Sequence, residues 1–243
     1  MKDNHDCPIP DGVQDLHLKG SSHNALLILS IVCTGITLCS TLALITLHLL
    51  RYRAPKEQRQ IIRLTFAPVV FAAVSLAQIY DYSIARYIDP IGSFYEALCL
   101  CALFLLYVQF AVPSGTFGEE LFDAMKAKQE VEKGKHNWPR VTWIAVFQYP
   151  VVDLIAIIVL EATEAAGTYC ESSLRPRYGH FWYSVISSVG ITIAVLSIVR
   201  FYARMKGLMK AHRGLAKIVC FKAIVGVRFL QSVSSSEPVL LSV

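Results

Sequence analysis

The sequence predicts an all-helical bundle of membrane-spanning segments, with five clear spans and a marginal sixth. Three observations predict it. Of 243 residues, 54% are apolar and only 17% charged, and the mean hydropathy is +0.48; an ordinary soluble domain is about 25% charged. The charges fall in clusters, separated by long stretches without Asp, Glu, Lys or Arg. The five clear stretches suit helices, which need about 20 apolar residues to cross a bilayer, and are too long for barrel strands of about 9–11. This pattern excludes a disordered chain, a collagen-like chain and an ordinary soluble enzyme.

Each span follows from its own run. Ala25–Leu50 is free of charge and, beginning so late and running so long, reads as a retained first span rather than a secretory signal. Leu64–Tyr80 is the second and continues past Asp81 to Ala85. Ala97–Gly118 is the third. Val141–Leu160, interrupted once by Asp153, is the fourth, and Phe181–Val199 the fifth. Ile218–Gln231 is the marginal sixth, with 14 residues and two cations, Lys222 and Arg228. The chain therefore divides into a tail over 1–24, a helical membrane domain over 25–231 that contains a charged loop at 119–140, and an atypical tail over 232–243.

Loop cations set the orientation. The first, third and fifth loops with their edges carry 16 Lys and Arg, from Arg51 to Arg63, Lys126 to Arg140 and Arg200 to Lys217. The N-terminal tail, second loop and fourth loop carry five: Lys2, Lys19, Arg86, Arg175 and Arg177. The N-terminus is thus expected outside or in a lumen, with the odd loops cytosolic. The net charge of +5 needs no nucleic acid, because juxtamembrane cations set topology and attract anionic lipid. In the third loop acids precede bases, as suits a helix dipole, and Gly134 and Pro139 can end that helix.

Cysteine placement follows the same topology. Cys7 and Cys170 fall on the oxidising side, where a disulfide between them is chemically permitted. Cys33 and Cys39 lie within a span and read as small packing residues. Cys99-Leu-Cys101 lacks the spacing and companions of a zinc site. Nucleotide-binding, zinc-protease and serine-hydrolase motifs are absent from the sequence. No enzyme, metal or cofactor is expected.

Ionisable groups inside spans are costly and so point to cavities or partners. Asp81 ends the second span and Glu96 opens the third, both on the outer side, and Asp153 sits near the middle of the fourth. Lys222 is a candidate counter-charge for Asp153. The competing reading for each is an ion pair or a side chain reaching for the interface. Pro68 and Pro150 each remove a helix hydrogen bond, and Pro150 lies three residues before Asp153. A broken helix beside a buried carboxylate is how transporters build a polar site in lipid.

These residues resemble a family. Pro55, Gln58, Arg59, Ile61 and Arg63 match the first cytosolic loop of the organic solute transporter alpha-subunit family, which includes transmembrane protein 184. Pro68 and Ser75, Tyr95-Glu96-Ala97, Gln148-Tyr149, Thr168-Tyr169-Cys170-Glu171, Phe201-Tyr202 and the spacing of Lys217, Lys222 and Gln231 follow in the family's order. The Ala54-Pro-Lys-Glu-Gln-Arg-Gln60 form is similar to a fungal member. The resemblance implies seven helices, of which the last is missing here, so a C-terminally truncated form is expected. It also implies a facilitative carrier of steroid or bile-acid-like amphipathic anions, working with a small single-span partner subunit or as a homo-oligomer. The membrane would be the plasma membrane or an endosomal or vacuolar one.

Under that reading Asp153, Lys222, Gln148, Glu96 and Asp81 are candidates to line the solute path. Arg59 and Arg63, four apart on one helical face, would shape the cytosolic mouth or bind lipid phosphate. The alternative is a scaffold or receptor-like membrane protein in trafficking or signalling, with 119–140 as its contact surface.

Overall fold

A computed structural model of the chain describes residues 20–50, 55–81, 85–111, 138–169 and 176–205. Among them are five long helices and no strands. In chain order these are α1 (Gly20–Leu50), α2 (Pro55–Tyr80), α3 (Ala85–Ala111), α4 (Trp138–Ala165) and α5 (Gly179–Met205). All five are long and apolar enough to cross a membrane. At about 1.5 Å per residue each runs to about 40 Å, beyond a hydrocarbon core of about 30 Å, so helix ends reach the headgroup level. The expected sixth span at 218–231, Lys222 within it, Cys7 and Cys170 lie outside the described residues.

Every helix begins before its charge-free run, while α2 ends at Tyr80 rather than continuing past Asp81 to Ala85, which opens α3 instead. The largest extension is in α3, which begins twelve residues before Ala97 and takes in Asp89, Pro90 and Glu96. Glu96 therefore does not open a span but sits in mid-helix, 8% exposed. A carboxylate turned towards neighbouring helices does not meet lipid, so it does not end a membrane helix. Pro139, expected to terminate a loop helix, lies instead in the first turn of α4, where its missing N–H costs nothing.

Helix α3 is the hub, packing against α2, α4 and α5. Its most apolar 18-residue stretch is 67% buried, against 6% for that of α1, although Tyr87, Ile91 and Leu98 still face outward. Helix α1 packs on α2 and turns Leu29, Ile36, Leu47 and their neighbours outward, which water would not tolerate and lipid does. Cys33 and Cys39 also lie exposed on it rather than packed. Its hydroxyls bond back into their own helix, Thr37 to the Cys33 carbonyl and Thr46 to the Leu42 carbonyl, both at 2.8 Å; in hydrocarbon no water would do this.

Consecutive helices run antiparallel, and side chains tie their ends. His23 Nε2 meets the Ile79 carbonyl at 3.0 Å at one end of the α1–α2 pair. Gln58 Nε2 donates to the His48 carbonyl at 3.1 Å at the other. Gln78 donates to Asp89 at 3.1 Å between α2 and α3. Helix α4 stops at Gly167, whose φ of 64° is left-handed. Beyond it the Thr168 and Tyr169 amides return to the Thr163 carbonyl at 2.9 and 3.1 Å, closing the helix end as a C-cap does.

The two ends of the bundle differ. Lys56, Arg59, Arg63, Arg140, Arg200 and Arg204 all gather at the end formed by the starts of α2 and α4 and the finish of α5. Beneath them is an aromatic core. Phe104 meets Trp143, Phe147 and Phe201 edge-on at 5.7, 6.2 and 5.1 Å, a geometry the ring quadrupole favours. The opposite end shows exposed Tyr80, Tyr87 and Trp182, as at a membrane–water interface.

Candidate functional site

The site is built on the seam between α4 and α5. Buried residues of α4 recur at spacings of three and four: Thr142, Val146, Tyr149, Asp153, Ala156 and Leu160. This is the stripe a helix presents to a partner. Helix α5 answers with Gly190, Ala194, Ile198, Phe201 and Met205. Gly190 lets the helices approach closely: a Cβ there would lie 3.1 Å from both Tyr149 Cδ2 and Val152 Cγ1, tighter than an ordinary carbon contact. At the far end of the seam a Cβ on Gly179 would overlap the Thr163 side chain. Small residues thus bring the two backbones close, as they do generally between membrane helices.

Close approach allows Asp153 to reach across. The Ser187 hydroxyl donates to Asp153 Oδ1 at 3.1 Å, and Asp153 is 1% exposed. Ser187 carried no sequence motif. Its signal was indirect: Gly190 and Ala194 form a small-x-x-x-small pair, and Ser187 sits one turn earlier on the same face. By the α3–α4 register, in which Cys101 faces Val146 and Phe104 faces Trp143, Glu96 lies at a depth similar to that of Asp153. Two carboxyl groups are therefore buried at mid-depth in the bundle.

The prolines do not break their helices; α2 runs through Pro68 and α4 through Pro150. Proline lacks the N–H that would bond the carbonyl four residues earlier, and α3 supplies donors to that region instead. Cys101 Sγ donates to the Val146 carbonyl, the one Pro150 leaves, at 3.8 Å. Next to the carbonyl that Pro68 leaves, the Arg63 carbonyl accepts from Tyr95 Oη at 2.9 Å and Cys99 Sγ at 3.9 Å. Cys101 thus serves the carbonyl that Pro150 leaves, and Tyr95 and Cys99 tie α2 to α3 one residue from the carbonyl that Pro68 leaves.

Other candidates stand apart. Gln148 is five residues from Asp153, roughly 140° round the helix, on the side of exposed Ile144, Val151 and Ile155. Its Nε2 is buried without a hydrogen-bond partner. Asp81 caps the finish of α2, its amide bonded to the Ala77 carbonyl at 3.0 Å, at the end away from the basic residues. Arg59 and Arg63 are exposed on α2, and Arg63 Nη1 donates to Gln60 Oε1 at 3.2 Å. A second polar cluster was not foreseen: beside the α4–α5 turn Tyr169 Oη meets His180 Nδ1 at 2.8 Å, with Ser184 Oγ 3.5 Å from Nε2. Among the described residues no group of three His, Cys, Asp or Glu is placed to hold a metal ion.

The arrangement is a polar layer inside an apolar bundle, bounded on one end by cations. Comparison with known proteins adds to it. The family model of organic solute transporter Ostalpha matches residues 26–236. A transmembrane protein 184 homolog of Dictyostelium discoideum is 24% identical over 78% of this chain and 39% of its own length. The vacuole membrane protein hfl11 of Schizosaccharomyces pombe is 22% identical over 79% and 47% respectively. Protein LAZ1 of Arabidopsis thaliana is 23% identical over 92% and 52%. The chain thus spans about half or less of the length of these relatives. No solved structure matches.

Proposed function

This chain belongs to the organic solute transporter Ostalpha family, and on that premise we propose that it lets amphipathic organic anions of the steroid-conjugate kind cross a membrane down their gradient. The observation that carries the reading is Asp153, a carboxyl group 1% exposed at mid-span and bonded to Ser187 across a seam of small residues. Burying such a group in hydrocarbon costs stability, and function is the usual reason one is retained. The hydroxyls of a steroid body would exchange hydrogen bonds with Asp153, Ser187 and Glu96. The anionic head would stay with the cations at the basic end, away from the carboxyl groups.

The basic end is the cytosolic one in this reading, because cations cluster there, and the N-terminus faces outside or a lumen. The fission-yeast relative is a vacuole membrane protein, which favours a vacuolar or endosomal membrane. The test is uptake of a labelled steroid sulfate into liposomes holding the purified whole chain. Saturable uptake above that of protein-free liposomes is expected, alone or with a small single-span subunit added. Uptake no faster than through protein-free liposomes in both settings, from protein that melts cooperatively, would overturn the proposal.

A further inference from the structure

Two arginines at the basic end stand apart from the seam that holds Asp153. Arg59 and Arg63 are both exposed on α2 and share a face with Phe66, itself 37% exposed; spacings of four and three keep the three side chains within roughly 60°. Arg63 is the ninth residue of α2, about 12 Å from its start, whereas a helix of about 40 Å centred on a core of about 30 Å overhangs each side by only about 5 Å. The Arg63 backbone therefore stands within the hydrocarbon, where a charged side chain is costly. Its guanidinium turns back towards the helix start and donates from Nη1 to Gln60 Oε1 at 3.2 Å, as a cation reaching for the interface does. Gln60 is 5% exposed and so a fixed anchor, and the bond takes one of the five N–H donors a guanidinium carries. Tyr95 Oη of α3 holds the Arg63 carbonyl at 2.9 Å, and the Tyr95 ring meets Phe66 edge-on at 6.4 Å. Ile91 and Leu98, on the Tyr95 face of α3, are 56% and 43% exposed. An apolar track thus runs along the α2–α3 seam from the two arginines towards mid-membrane.

We propose that Arg59 and Arg63 bind the phosphate of an anionic phospholipid from the leaflet at the basic end, with an acyl chain lying along Phe66, Tyr95 and Ile91. Three features choose this occupant. Like charges one helical turn apart repel, and a phosphate between them removes that repulsion while offering acceptor oxygens to both guanidinium groups. The acid of the first turn, Glu57, is roughly 160° round the helix from Arg59 and does not compete for the pair. The apolar track continues inward from the cations, which suits an acyl chain and serves no purpose for a free phosphate. Gln60 keeps the Arg63 guanidinium at the level where the phosphate lies, so the lipid meets a positioned donor.

The test uses the whole chain purified in neutral detergent and titrated with dioctanoyl phosphatidylglycerol, with bound lipid counted by native mass spectrometry. Phosphatidylcholine of the same chain length, inorganic phosphate and a steroid sulfate are the other arms. Phosphatidylglycerol is expected to bind at least roughly tenfold more tightly than phosphatidylcholine, the gain of one charge-assisted contact. Arg59→Gln combined with Arg63→Gln should abolish that preference. Phe66→Ala should weaken both lipids alike and leave the preference in place. Arg140→Gln combined with Arg200→Gln, which removes as much charge from the same end on α4 and α5, should also leave it in place. Should the α2 double variant not fold, Arg59→Gln alone serves, with a several-fold loss of preference expected and no loss overturning the proposal. Equal binding of the two lipids by the wild type overturns it. So does an equal loss of preference in the Arg140 and Arg200 variant, or displacement of the lipid by equimolar phosphate or steroid sulfate.

Discussion

Two glycines in the same fold should respond oppositely to one substitution. A Cβ on Gly190 would lie 3.1 Å from Tyr149 Cδ2 and Val152 Cγ1, where carbon atoms prefer about 3.5–4.0 Å. Leucine adds three more carbons to that intrusion. Tyr149 is 4% exposed, so a side chain of that size added at Gly190 is expected to push the helices apart. Overpacking of this kind costs about 1–3 kcal/mol. At about 2–4 °C per kcal/mol for a chain of this size, Gly190→Leu should melt about 2–12 °C lower. On α1, a Cβ at Gly35 meets nothing within 4 Å. There leucine faces lipid, and replacing a helical glycine recovers up to about 1 kcal/mol, so Gly35→Leu should melt at or slightly above the wild type. Both variants, in one detergent, can be followed by tryptophan fluorescence. A wild-type melting point for Gly190→Leu, or an equal drop for Gly35→Leu, would refute the packing described for the seam.

Other outcomes follow from single features. Gly167→Val should destabilise by about 1–2 kcal/mol, because a β-branched residue resists the left-handed φ of 64°; Gly167→Asn should be milder, and thermal melting compares them. His23→Leu combined with Gln58→Leu removes both end ties between α1 and α2. At about 0.6 kcal/mol for each bond, hydrogen exchange in α1 should quicken by roughly tenfold while α3 is unchanged. A protease-cleavable tag inserted at 128 should be protected in intact cells or sealed organelles, and one before residue 20 should be accessible where that face is exposed. The reverse pattern would invert the proposed orientation.

How far the sequence could be read depended on whether a feature was local. Charge-free runs locate all five described helices, because lipid punishes charge wherever it is exposed. The same criterion misplaced the start of α3, at Ala97 instead of Ala85, since it cannot tell a carboxylate facing lipid from one facing helices. Glu96 was therefore taken for an end residue. Burial of Asp153 was legible from its setting, but Ser187 depended on which helix lies beside α4. The pair Gly190 and Ala194 held that information, as small residues at a spacing of four. Gln148 was a candidate through the family resemblance and Asp153 through its charge, and helical rotation puts them on different faces. The roles of Cys99 and Cys101 needed the register of α3 against two prolines, which single-helix patterns do not contain. Lys222, Cys7 and Cys170 fall outside the described residues.

Asp153 is proposed to serve solute passage rather than packing alone, and one substitution separates the two roles. Asp153→Asn keeps the shape and an oxygen to accept the Ser187 hydroxyl, while it removes the ionisable group. The measurement is the initial rate of steroid sulfate uptake by liposomes holding equal amounts of wild type or Asp153→Asn, each with its melting point recorded. Melting points within about 2 °C are expected, since the bond to Ser187 is worth about 0.6 kcal/mol in a membrane and is retained, together with uptake reduced at least tenfold. Uptake by Asp153→Asn equal to that of the wild type would contradict it.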